Sequence, residues 1–201
     1  MTESLISLAI ATLLFLGSPG PAPLALAATG AAFGIKRGLA FLFGILAGLA
    51  FVILATSLGL AALLQNLPEL RLFLQLLGGL YIIYLAFKIA GGPLISPLEN
   101  PDNAQSKPPN FIDGLILNLL NPKLYAAMLA LMSQYQPESI TFYANVIAGL
   151  TCFTVATFVD IVWLGFGRLL RPLFASPIWA RRLRISFAVL MVLAVIKVLW
   201  S

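Results

Sequence analysis

The sequence has no histidine, one cysteine, and charge on only 9% of its 201 residues. Each shortage excludes something. Without histidine, the side chain that most often shuttles protons near neutral pH and most often binds metals is missing. A lone thiol, Cys152, rules out an intramolecular disulfide, a dithiol electron relay and a cysteine-built metal site. There is no nucleotide-binding glycine loop and no catalytic pair of carboxylates, so nothing points to an enzyme or to a cofactor. A soluble domain carries about a quarter charged residues, and this chain falls far below that. The strand alternation of a membrane barrel is absent too, which leaves helices as the spanning elements.

What is present is apolar: 61% of the residues are hydrophobic. Stretches of roughly 20 such residues, enough to cross a bilayer, recur from end to end. The pattern predicts an all-α integral membrane protein of six transmembrane helices in a single domain, residues 1–201. The spans are expected at Ser4–Ala28, Gly38–Leu64, Leu70–Ala90, Phe111–Gln134, Ile140–Leu164 and Ile185–Trp200. "GGPLISPLENPDNAQSKPPN", Gly91–Asn110, reads as a cytoplasmic loop, and Gly167–Arg184 as a basic, proline-interrupted connector. The Ala-x-Ala pattern at Ala25–Ala27 is like a signal-peptide cleavage site. The residues before it hold Glu3 and no Lys or Arg, so the segment is read as a retained first span.

The net charge of +5 and the pI near 9.7 do not point to nucleic acid here, because the basic residues flank apolar spans. They set orientation. With both termini outside the cytoplasm, Lys36, Arg37, Lys88, Lys107, Arg168, Arg171, Arg181, Arg182 and Arg184 fall on the cytoplasmic side. Only Arg71 and Lys197 fall opposite. The expected location is the cytoplasmic (inner) membrane. Arg181, Arg182 and Arg184 are positioned to meet anionic lipid headgroups.

A shift of 101 residues sets Leu14–Thr56 on Leu115–Thr157. Pro21 then matches Pro122, Phe41 matches Phe142, and Ala47-Gly48-Leu49 matches Ala148-Gly149-Leu150. Three spans per unit force the second unit to enter the membrane the other way up. The expectation is two inverted three-helix repeats, about 4–90 and 111–201, with helices 1 and 4 broken, an architecture of secondary transporters.

The breaks are legible in "GSPGPAP", Gly17–Pro23, and "NLLNPK", Asn118–Lys123. Proline inside a helix removes a backbone hydrogen bond and clashes with the preceding turn. In lipid the freed carbonyls need partners or a polar cavity. Lys123 sits twelve residues into its span, about 18 Å from the start. A lysine at that depth costs about 2.5–3.5 kcal/mol or more, so a functional role is the first reading: a partner for a substrate carboxylate. The structural reading is a lysine bonded to the carbonyls of the other broken helix. Asn118, Asn121 and Tyr125 are spaced to share a helix face that hydrates a cavity or holds two helices together. Asp160 is the other intramembrane charge. It can carry a proton or meet a substrate ammonium, or it can be paired with Lys123 or capped by threonines. The Gly44/Gly48 pair is a small-residue packing face.

"SPGPAPLALAATGAAFGIKRGLAFLFGILAGLA", "GGLYIIYLAFK" and "FIDGLILNLLNPKLYAAMLAL" resemble the LysE/RhtB-type amino acid exporter family, over nearly the whole chain. The resemblance implies export of amino acids or related small zwitterionic metabolites by proton-coupled antiport, and a homodimer. By position, Pro19, Gly20, Pro21, Asn121, Pro122 and Lys123 stand where the family has its motif residues. With Asn118 and Tyr125 they form the candidate substrate site, with Asp160 for proton coupling or the substrate ammonium. The alanine-rich stretch after Pro23 has little polar character and leaves the substrate open. A metal or ion exporter of the same superfamily is the second reading, for which membrane carboxylates are scarce. A membrane scaffold subunit that transports nothing is the third.

Overall fold

The structure is a computed structural model that describes residues 2–57, 69, 73, 76–77, 80–84, 86–87, 108–134, 142–170 and 176–199. Six helices organise them: α1 (Thr2–Gly17), α2 (Pro21–Ser57), α3 (Phe111–Leu119), α4 (Pro122–Gln134), α5 (Phe142–Leu170) and α6 (Pro177–Leu199). The described positions between 69 and 87 are helical as well, and among the described residues there is no strand. Most of the expected third span and of the loop at 91–110 lies outside the described residues, as do Arg71, Lys88, Lys107 and Arg171.

At 37 residues α2 is far longer than one crossing needs, and Gly34 explains why. Its φ of 79° lies in the left-handed region, open to glycine at little steric expense. A straight helix would hold Thr29 and Gly38 about 13 Å apart. Instead a Cβ built on Gly38 lies 3.3 Å from Thr29 Cγ2. The helix therefore folds back on itself, with arms 21–33 and 35–57. The loop expected between Ala28 and Gly38 is a single turning residue with helix on both sides.

The first arm is the centre of the bundle. Every residue from Pro21 to Ala31 is buried, as expected of a helix without a polar face. Its small side chains let neighbours approach closely. A Cβ on Gly30 would collide with the Leu164 carbonyl of α5, and one on Gly167 with the Ala27 carbonyl. The second arm meets α3 in the same way: a Cβ on Gly44 would collide with the Phe111 carbonyl, and one on Gly114 with the Phe41 carbonyl. Gly48, whose Cβ would lie 2.8 Å from Asn118 Cβ, continues that crossing. The Gly44/Gly48 face is thus a packing face. α1 packs on α5 and α4.

Two boundaries differ from expectation. α5 runs to Leu170 and α6 starts at Pro177, so both ends of the expected Gly167–Arg184 connector are helical. Proline is tolerated at a first helical position, and exposed arginines do not stop a helix, so neither signal ended α6 where composition suggested. Ala31 packs with Leu170 and Leu183. The Gly34 turn, the end of α5 and the start of α6 therefore share one end of the bundle, and Lys36, Arg37, Arg168, Arg181 and Arg182 lie there.

By length and composition, Pro21–Ser57 and Tyr143–Leu170 can each cross a membrane. The pair Phe111–Leu119 and Pro122–Met132, bent by 56°, makes a third candidate. Large apolar side chains such as Leu14, Phe43, Phe51, Leu54 and Phe158 point outward, as lipid-facing surface does.

Inside, the apolar packing is split in two. One cluster holds Ala22, Ile45, Leu117 and Leu164. The other holds Leu8, Leu49, Leu124 and Ala156. Along three of these stretches a polar residue marks the change: Ser18 lies between Leu8 and Ala22, Asn118–Lys123 between Leu117 and Leu124, and Asp160 between Ala156 and Leu164. Along the second arm of α2 no polar residue intervenes between Ile45 and Leu49, and Leu46 packs against both clusters.

Candidate functional site

The first break is built by prolines. In an unbroken helix the Phe15 and Gly17 carbonyls would accept from residues 19 and 21, and both are proline, with no N–H to give. The Ser18 hydroxyl donates to Phe15 O at 2.8 Å, and the Trp163 indole Nε1 donates to Gly17 O at 3.3 Å. The Ser18 carbonyl has left the helix as well, and Lys123 Nζ donates to it at 2.7 Å. α2 restarts at Pro21, where the missing N–H is harmless. Its first bond runs from Leu24 N to Gly20 O at 3.0 Å.

The second break follows the same logic. Pro122 cannot donate to Asn118 O, which takes the Asn121 N–H at 3.2 Å instead. Asn121 then caps α4: its Oδ1 accepts from Lys123 N at 3.2 Å, the usual role of an asparagine ahead of a first turn. Leu119 O accepts the Tyr125 hydroxyl at 3.0 Å. The helix restarts at Pro21 and at Pro122 are 101 residues apart, the same shift that aligns the two halves of the sequence. Counting 1.5 Å per residue, the first break lies about 20 Å along α2 from the Gly34 turn at the basic end, and the second about 14 Å along α3 from Phe111.

Lys123 joins the breaks. Besides Ser18 O, its ammonium donates to Ser18 Oγ at 2.8 Å. Its stem passes over Gly20, where a Cβ would stand 2.9 Å from both Lys123 Cδ and Nζ. Beneath it lies a cavity of about 30 Å³ whose polar lining is Asn118, Asn121, Lys123 and Asp160. Leu16, Leu49 and Ala156 are among its apolar walls. That volume holds about one water molecule. Asp160 is only 7% exposed, and no hydrogen bond or ion pair to its carboxyl is present among the described residues.

The expected residues divide as follows. Asn118, Asn121, Lys123 and Asp160 meet at one cavity, and Gly20 lies against Lys123. Asn118 also anchors the site, since its Nδ2 donates to Ile45 O at 2.8 Å across the Gly48 crossing. Pro19 is exposed, and Pro19, Pro21 and Pro122 act through the backbone they interrupt rather than as cavity wall. Tyr125 does not line the cavity. The shared face expected for Asn118, Asn121 and Tyr125 assumed one continuous helix, and the break at Leu120–Asn121 turns Tyr125 to the Leu119 carbonyl. Asp160 forms neither of its structural alternatives: it is not paired with Lys123, and Thr157 donates to Phe153 O rather than to it. Lys123 meets a carbonyl of the other broken helix, Ser18 O, the contact that the structural reading of this lysine expects. The sequence reading does not reach the Ser18 hydroxyl, or Trp163, which completes the first break from more than 100 residues away in sequence, and no local pattern marks such a partner.

Comparison with known proteins bears on what such a site is for. Residues 13–200 match the family described as LysE type translocator. The cysteine/O-acetylserine efflux protein of Escherichia coli strain K12 is 26% identical over 193 residues, 94% of each chain. An uncharacterized membrane protein of Haemophilus influenzae is 28% identical over 159 residues, covering 77% of this chain and 75% of the relative. One from Pseudomonas aeruginosa is 28% identical over 150 residues, 72% and 67%. No solved structure matches the chain.

Proposed function

The chain belongs to the LysE type translocator family, a family of transporters and not of enzymes, and from that premise we propose that it exports small amino acids by exchange for protons. The export is across the cytoplasmic membrane. The observation that carries the reading is the meeting of the two proline breaks at Lys123, above a cavity that also receives Asp160. An ammonium at one wall and a carboxyl at the other are complementary to the carboxylate and the ammonium of a zwitterion. The efflux activity named for the Escherichia coli relative supports the substrate class.

The reading includes six spans as two inverted repeats, each opening with a broken helix. The equal spacing of the two restarts supports it, as does the fold-back at Gly34, which turns α2 into the end of one span and the whole of the next. Both termini lie outside the cytoplasm. The gathering of Lys36, Arg37, Arg168, Arg181 and Arg182 at one end of the bundle supports that orientation.

Asp160 supplies the exchange. One carboxyl can be neutralised by a proton or by a substrate ammonium, and not by both at once. A carrier whose carboxyl must be neutralised before it crosses the apolar barrier then moves one in each direction. The test is efflux from proteoliposomes loaded with L-cysteine, O-acetyl-L-serine and other small neutral amino acids, with and without an inward proton gradient. Gradient-stimulated loss of one of them is the expected result; loss of none, in protein shown to be inserted and folded, would refute the reading. Asp160→Asn keeps the shape and hydrogen-bonding capacity but cannot take up the proton. It should abolish stimulation by the gradient while leaving exchange at equal pH measurable. Undiminished stimulation in that variant would remove Asp160 from the coupling.

A further inference from the structure

The Lys123 ammonium is the group offered to a substrate carboxylate, yet it is held by two oxygens of one residue, Ser18 O at 2.7 Å and Ser18 Oγ at 2.8 Å. We propose that Ser18 is the positioning residue of the site: its two oxygens hold the ammonium where the two oxygens of a carboxylate will take it, and substrate binds by displacing them. The inference rests on the export reading above and adds a residue to it.

Three observations carry it. First, the direction of the bonds is fixed. A hydroxyl has one proton and two lone pairs. The Ser18 proton goes to Phe15 O at 2.8 Å, so Ser18 Oγ faces Lys123 as an acceptor only. An ammonium meets the same chemistry there that a carboxylate presents, but uncharged, and charged acceptors form the stronger bonds. The exchange therefore favours a carboxylate.

Second, the contact is the bridge between the breaks. Ser18 belongs to neither α1 nor α2, and Lys123 stands in the first turn of α4. Releasing Ser18 unties the two breaks from each other at that point. Third, something must move. A cavity of about 30 Å³ admits water and no amino acid. Ser18 and Pro19 are exposed, while the walls behind, Ala22, Asn118, Asn121 and Leu124, are buried. The exposed break, beside the cavity and not part of its lining, has less packing to lose than those walls. A side chain at position 20 would stand in the place of the lysine stem, and Gly20 leaves that place open.

The experiment is counterflow of labelled L-cysteine under reducing conditions, giving KM and kcat for the wild-type protein and for Ser18→Ala, Ser18→Gly and Ser18→Thr. Ser18→Ala and Ser18→Gly remove one competing acceptor and should each lower KM about five- to tenfold, with kcat within about twofold. Ser18→Thr keeps the hydroxyl and should restore the wild-type KM. A residue that merely stabilised the break would reduce the active fraction and so kcat, leaving KM alone. Unchanged or raised KM in both hydroxyl-deleting variants overturns the inference while the export reading stands. Wild-type protein that moves no amino acid overturns both.

Discussion

Lys123→Ala is expected to lower transport about a hundredfold or more, while the protein still inserts, folds and elutes as the wild type does. The two halves of that expectation have separate causes. Removing one partner of a desolvated, hydrogen-bonded charge pair costs 2–5 kcal/mol or more, and 2.7 kcal/mol is already about a hundredfold. The substrate carboxylate would lose its cationic partner in a cavity whose other polar walls are the neutral Asn118 and Asn121 and the carboxyl of Asp160, none of them a cation. The fold loses much less. Lys123 is half-buried and Ser18 is exposed, so each of the bonds it gives to Ser18 O and Oγ is a net change of roughly 1 kcal/mol. Lys123→Met, which keeps the length of the stem without the charge, should be equally inactive. Counterflow measured beside gel-filtration profile and helix content checks both halves. Transport within about threefold of wild type in either variant would remove the carboxylate role from Lys123.

The second large effect concerns the glycine crossings. Gly44→Ala and Gly114→Ala should each sharply reduce the yield of folded protein. The added methyl would meet the Phe111 and Phe41 carbonyls respectively. These are backbone atoms inside helices and cannot turn aside as a side chain can. Overpacking of a yielding core costs about 1–3 kcal/mol. Here the two helices must separate, which also strains the Asn118–Ile45 bond beside them. About 3 kcal/mol is expected, a fall of about 10 °C in Tm for a chain of this size. Gly165→Ala is the control. It lies in the same kind of apolar helix, but a Cβ there has nothing within 4 Å. It should be neutral or stabilise by about 0.5–1 kcal/mol through the better helix propensity of alanine. Thermal unfolding in detergent micelles distinguishes them. Equal Tm values for all three would mean that the close crossings do not hold the fold.

Much of this arrangement was legible because its causes are local. Pro19, Pro21, Pro23 and Pro122 act on the residue four positions before them, so the breaks could be placed from sequence to within a residue or two. Lys123 and Asp160 declared themselves by being charged where charge is expensive. Other features depend on what packs against what. Ser18 is an ordinary serine until a lysine 105 positions away arrives at it. Trp163 reads as a membrane aromatic until its indole meets Gly17 O. Tyr125 kept its helical spacing on paper, but a helix broken at Leu120–Asn121 has no continuous face. Gly34 shows a subtler limit. "FGIKRG" could have been a loop, and a run of helix formers on both sides reduced it to one residue with positive φ. The ends of α5 and α6 were misjudged for a related reason: arginine and a first-turn proline suggest an interface, and neither forbids a helix.

On the export reading, the two broken helices form one substrate site around the Lys123 ammonium. The decisive measurement is an experimental structure of the protein in lipid nanodiscs with L-cysteine bound. The ligand carboxylate is expected within hydrogen-bonding distance of Lys123 Nζ, with Ser18 withdrawn from it and the ligand ammonium turned toward Asp160. A ligand bound elsewhere, with Lys123 still on Ser18, would refute the shared site.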